Sequence, residues 1–185
     1  MKTTTRPARL AAHRQRGITA IEACIVLAVT AIVATTAAPG MQDLIDNRRL
    51  DGAATQLATD IQFIRTEAVA RNQPLRLSFH ATPGGSCYVI HSGAADQCNC
   101  AVAGPAQCSG DAREIKTVTV PSAERVTLQA NVGSMLFDPL HGTSSPTGTL
   151  RLLGSRGRAV HHVINIMGRA RSCSPQGLVV GYRAC

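Results

Sequence analysis

The 185-residue chain predicts an α+β fold, with one long N-terminal helix packed on antiparallel β-structure. Three observations predict it. Residues 18–38 form an apolar run whose only charge is Glu22. Leu50, Ala54, Leu57, Ile61, Ile64 and Ala68 then recur at alternating spacings of four and three, which is one helix face turned to a core. After Pro74 the period shortens to two, and short alternating segments follow one another towards the C-terminus.

The first segment is a polar leader, residues 1–17, ending at Gly17. It holds Lys2, Arg6, Arg9, Arg14 and Arg16 and no acid. That bias keeps the leader on the cytoplasmic side and sends the following chain across the membrane. The 21 residues of the apolar run reach about 30 Å as a helix, one bilayer core. A secretory signal peptide cut among the small residues 34–38 fits this pattern, and so does an uncleaved anchor. Glu22 argues for a third reading, because a carboxylate near the start of a membrane helix is costly and marks function.

Residues 18–39 are thus a membrane helix, and residues 40–72 its amphipathic second half. Pro39 and Gly40 interrupt the two. Asn72 and Pro74 stop the second half after Arg71. The remaining domain, residues 73–185, reads as strands at 75–79, 87–90, 114–120, 126–129, 134–137, 149–153, 160–166 and 177–182. Residues 92–110, rich in Ala, Gly and Cys, read as a loop. Many short strands after one helix give antiparallel sheets packed on that helix.

Trp is absent and aromatic residues are 3%, so the core is aliphatic. The formal charge of +8 is misleading. Five of the 19 basic residues lie in the leader, which leaves 14 against 11 acids. The distribution is more telling. Residues 139–185 contain Arg151, Arg156, Arg158, Arg169, Arg171 and Arg183, with His141, His161 and His162, and no acid. A basic block of this kind suits a polyanionic partner.

Cys24 lies in the membrane run. Six further cysteines, Cys87, Cys98, Cys100, Cys108, Cys173 and Cys185, lie beyond it, an even number suited to disulfides in a translocated domain. Cys173 with Cys185 is the favoured pair, closing a C-terminal loop that contains Pro175 and Gly177. The pairing of the other four is open. Their spacing does not suit a structural zinc site, and no metal or cofactor is expected.

Gly17, an apolar residue at Ile18 and Glu22 as the fifth residue after the glycine resemble the type III signal of type IV pilins and pseudopilins. That resemblance implies cleavage after Gly17 by a prepilin peptidase, methylation of the new N-terminus at Ile18, and retention of the apolar helix. It also implies that Glu22 pairs with a neighbouring subunit's terminal amine during filament assembly. Ile18 stands where Phe is usual in that family. The fold implied is type IV pilin-like. The subunit would sit in the inner membrane with its domain in the periplasm, then in a pilus at the cell surface.

Three later stretches narrow the resemblance to the GspH/FimT branch. They are the helix around residues 50–72, Phe137-Asp138-Pro139-Leu140-His141-Gly142-Thr143, and Ile166-Met167-Gly168-Arg169-Ala170-Arg171. GspH-type proteins are minor pseudopilins of type II secretion. FimT-type proteins are minor type IV pilins implicated in DNA uptake for natural transformation. The FimT resemblance implies a DNA-binding Gly-Arg-x-Arg, matched by Gly168, Arg169 and Arg171.

The chemistry agrees with that implication. Two arginines separated by one residue project to one face of a strand. Each can grip phosphate oxygens with two N–H groups. The favoured disulfide would bring Arg183 near the pair. No aromatic side chain is interleaved, so contacts would read phosphate in double-stranded DNA rather than sequence. Arg156 and Arg158, around Gly157, either extend this patch or serve a polar turn. Two solvated arginines at a strand end, or adhesion to an acidic surface polymer, are the alternatives for Arg169 and Arg171. His161 and His162 alternate across a strand and read as structural. Asp138, His141 and Ser144 stand close in sequence, but no nucleophile elbow or phosphate loop accompanies them. An enzyme is not expected.

Overall fold

The computed structural model describes residues 17, 19–101 and 104–185, without the side chains of Ala38 and Pro39. Residues 1–16 and Ile18, part of the expected leader and the expected methylation position, lie outside the described residues. The chain divides into two compact units, Met1–Met41 and Gln42–Cys185.

Helix α1 (Ala20–Arg71) begins in the first unit and ends in the second. Thr19 opens it: its Oγ1 accepts the Glu22 N–H at 3.3 Å, and its carbonyl accepts the Ala23 N–H. Thr at the cap with Glu three residues on is a capping-box sequence, and the acid stands at the positive end of the helix dipole. In the first unit Ile21, Ile25, Leu27 and Ile32 are exposed. The hydroxyls of Thr30, Thr35 and Thr36 donate to carbonyls one turn back, which satisfies these three donors inside the apolar stretch. This is a helix long and apolar enough to cross a membrane. The interruption expected at Pro39 and Gly40 does not end it, and α1 is a single element through both.

In the second unit the helix buries the expected stripe: Leu50, Ala54, Leu57, Ile61, Ile64 and Ala68 are all withdrawn from solvent. It ends as the sequence predicts. Asn72 takes φ +48, its N–H donates to the Val69 carbonyl, and the Gln73 N–H reaches back to Ala68. That is a Schellman motif with Asn in the left-handed position.

Among the described residues eleven strands follow: β1 (Leu75–Thr82), β2 (Gly85–His91), β3 (Cys98–Asn99), β4 (Gln107–Cys108), β5 (Glu114–Pro121), β6 (Thr127–Ala130), β7 (Ser134–Phe137), β8 (Ser144–Ser145), β9 (Gly148–Leu153), β10 (Ala159–Ile164) and β11 (Ala170–Cys173). One sheet has the order β5-β2-β1-β7-β8 and a second the order β11-β10-β9-β6, with antiparallel pairing. Leu75, Leu77, Met135 and Phe137 of the first sheet share one core with Leu128, Leu150, Leu152, Val160 and Ile164 of the second and with the helix stripe. The α+β arrangement is therefore as the sequence predicts.

Two expectations are corrected. Residues 92–110 contain the ribbon β3-β4, held by disulfides Cys87–Cys100 and Cys98–Cys108. Residues 177–182 form turns, not a strand. Val179 does point into the core between exposed Leu178 and Val180, so the alternation is real. But Gly177 and Gly181 take positive φ, and the Tyr182 N–H bonds the Val179 carbonyl locally. No ladder forms on a backbone that turns at both ends.

Candidate nucleic-acid interface

Strands β10 and β11 are joined by a turn at residues 165–169. The Asn165 N–H donates to the Arg169 carbonyl at 3.1 Å, and the Gly168 N–H to the Asn165 carbonyl at 2.9 Å. Asn165 Oδ1 accepts the Arg169 N–H at 3.0 Å. Gly168 has φ +68, and a Cβ there would stand 2.5 Å from the Gly142 carbonyl oxygen. Both the left-handed backbone and the close approach require glycine. The turn is docked on the preceding loop: the Ser144 N–H and Oγ donate to the carbonyls of Ile166 and Asn165, at 2.9 and 2.8 Å. Arg65 of α1 donates from Nε to the Gly142 carbonyl at 3.0 Å.

The arginines follow from this scaffold. Arg171 pairs with Val163 of β10, which pairs with Thr149 of β9. This row faces away from the core that Leu150, Val160 and Ile164 enter. Arg169 precedes β11, so it belongs to the turn, not to the strand face that sequence spacing assigns to both. The two arginines are nonetheless exposed neighbours. Arg151 lies on the same outward face as Arg171, one row away, where it pairs with His161. Sequence reasoning counted Arg151 in the basic block but could not place it, because cross-strand register is what brings it there.

The expected Cys173–Cys185 disulfide is present. Ser174 donates its N–H to the Arg183 carbonyl at 2.8 Å and accepts the Cys185 N–H at 3.2 Å. The backbone of Arg183 therefore runs beside the end of β11. Ser174 lies three residues beyond Arg171, roughly 10 Å along an extended chain. Arg156 and Arg158 are placed differently. Both meet Asp43 of α1, Arg156 in a direct hydrogen bond and Arg158 with Nη2 at 3.8 Å from the carboxylate. Their charge is turned to that acid, and Arg158 also bonds Ser155 within the turn, an arrangement that suits the polar-turn alternative.

Among the described residues, Arg151, Arg169, Arg171 and Arg183 form no salt bridge, whereas Arg71, Arg125, Arg156 and Arg158 each do. Burial lowers the His161 pKa, and the Arg151 charge beside it adds to the shift. Burial pushes His162 down to about 4, with Nδ1 held 2.8 Å from Ser172 Oγ. Both imidazoles are thus neutral at neutral pH, and the positive charge of this surface is arginine's. Asp138 turns its carboxylate to the N–H groups of Leu140 and His141, and these bonds hold its pKa down. Buried Ser144 is committed to the Asn165 carbonyl, so Asp138, His141 and Ser144 form a structural loop.

The family described as Type II transport protein GspH matches residues 53–168, well over half of the chain. The chain belongs to the GspH family. Neither the curated proteins nor the solved structures contain a significant match to it. GspH proteins are pseudopilins, structural subunits that associate with others of their kind. The matched GspH segment covers the helix stripe from Ala54 onward, the first sheet, strands β6, β9 and β10 of the second and the Gly142–Gly168 contact, and it ends one residue before Arg169, short of β11.

Proposed function

We propose that this pilin-like subunit binds double-stranded DNA through Arg169, Arg171 and Arg183 as a minor type IV pilin serving DNA uptake. The observation that carries the reading is the group of exposed arginines without acidic partners, set on a rigid turn and a disulfide-closed loop. Guanidinium groups held this way suit phosphate oxygens and are indifferent to base sequence. Processing would follow the leader: cleavage after Gly17 by a prepilin peptidase, methylation at Ile18, and Glu22 meeting a neighbouring subunit's amine. The inner membrane would hold the subunit before assembly. Several copies in one filament would add their weak contacts on a single DNA.

A second reading is a structural minor pseudopilin of a type II secretion system or a pilus-tip assembly subunit, without DNA. The family match favours it, as does a groove of about 260 Å³ where Leu44 and Arg48 of α1 meet Leu178 and Val180. Val180 is 97% exposed there, as a residue reserved for another subunit would be.

The test uses the full chain in nanodiscs of neutral lipid, titrated with mixed-sequence duplex DNA at several salt concentrations. The leader arginines contribute equally to every variant. Arg169→Ala with Arg171→Ala is expected to weaken binding and flatten the log–log salt slope by about 2. An unchanged slope, or no binding at low salt, overturns the DNA reading in favour of the structural one.

A further inference from the structure

The turn that carries Arg169 also presents two large apolar side chains to solvent. Ile166 is 63% exposed and Met167 50%. Leu140, on the loop against which the turn docks, is 75% exposed. Apolar side chains at the tip of a hairpin usually fold back or are absent. Here bonds on either side fix the base of the turn: Asn165 to Arg169, Gly168 to Asn165, and Ser144 to Ile166 and Asn165. The tip is rigid and apolar, and Arg169 and Arg171 follow it directly along the chain.

From this juxtaposition we infer that residues 166–167 form a wedge that enters between base steps of a duplex held by Arg169 and Arg171. The inference rests on the DNA reading proposed above and deepens it. Charge complementarity selects the occupant. No acid occurs in residues 139–185, and Asp138, the nearest in sequence, accepts the N–H groups of Leu140 and His141 in its own loop. A partner that complements this tip therefore carries negative charge beside a flat apolar surface. Stacked bases between phosphates offer both. Proteins that bind in the minor groove push Ile, Leu or Met between bases, with basic side chains on either side, and bend the duplex. Opening is easiest at flexible pyrimidine–purine steps, so such a wedge favours TA and CA steps without reading individual bases.

The experiment uses the full chain in neutral-lipid nanodiscs and a duplex carrying a fluorescent adenine analogue at a central TA step. Binding of the unaltered protein is expected to raise the emission, as unstacking does. Ile166→Ser with Met167→Ser is expected to abolish the rise and weaken binding roughly tenfold, leaving the salt slope unchanged. Both residues are exposed, so this variant keeps its fold. Binding without a rise in emission, or an equal rise from the variant, overturns the wedge while leaving the DNA reading intact. Absence of DNA binding by the unaltered protein overturns both. Loss of binding to anionic phosphatidylglycerol vesicles in the variant, with DNA unstacking unaffected, assigns the tip to lipid and overturns the wedge.

Discussion

Arg65 donates its Nε–H to the carbonyl of Gly142 at 3.0 Å, across 77 residues of sequence, and Gly168 closes over the same oxygen. One contact thus ties the last turns of the helix to two loops and sets where Arg169 emerges. Gly168→Ala would force a side chain into a left-handed backbone and against that carbonyl. A loss of roughly 1–3 kcal/mol in unfolding free energy is expected. Denaturant titration checks it, and the same variant should bind DNA more weakly because the turn shifts.

Acid should loosen the domain through His162. Its imidazole is fully buried, and that burial lowers its pKa from 6.5 to about 4. The unfolded chain therefore takes up more protons in that window. Stability is fully present above pH 6.5, falls as the pH drops towards 4, and loses up to roughly 3 kcal/mol from this group. Buried His91 shifts in the same direction and steepens the fall. Denaturant midpoints measured across this range should slope clearly in the native protein and less in His162→Gln.

Asp60 is a buried acid, 1% exposed, and three groups donate to it. Tyr88 OH stands 2.7 Å away, Lys116 Nζ 2.6 Å and Gln56 Nε2 3.0 Å. Burial, with Asp60 behind it, drives the Tyr88 pKa upward, so the phenol keeps its proton and its bond. Lys116→Met leaves the carboxylate buried without its cation and should cost about 3 kcal/mol. Asp60→Asn added to that variant removes the stranded charge and should restore part of the loss. A double-mutant cycle by chemical denaturation measures the coupling. A sum of single effects with no coupling would mean that the pair carries no net interaction.

The parts legible in the sequence were those set by local rules. The stripe from Leu50 to Ala68 follows helical period, and every member is buried. Asn72 stops the helix because its side chain tolerates left-handed backbone. The Cys173–Cys185 bridge spans a loop short enough to favour it. What stayed hidden depends on distant partners. Residues 177–182 alternate like a strand, yet two glycines and a disulfide bend them into turns. Arg169 falls outside β11 because the turn consumes one residue more than spacing suggests. Arg156 and Arg158 find Asp43 more than 110 residues away. Arg151 joins the outward face only through its register with His161. Register and these long-range ion pairs, not spacing, decide which arginines of the basic block are left without an acid beside them.

The C-terminal loop owes its place to the Cys173–Cys185 bond. It also has tertiary anchors: Val179 lies in the core, and Tyr182 OH donates to Asp51 at 3.0 Å. Replacing both cysteines by serine should cost about 2–3 kcal/mol. Those anchors keep Val179 near the helix, so the loss of order should concentrate at residues 183–185. Hydrogen exchange checks this: the Cys185 and Ser174 amides, which close the loop against the end of β11, should lose protection before the amides of β10. Arg183 then has no fixed position, and Arg183→Ala should weaken DNA binding in the bridged protein but not in the serine variant. An equal effect in both would show that Arg183 acts as a diffuse charge independent of the bridge.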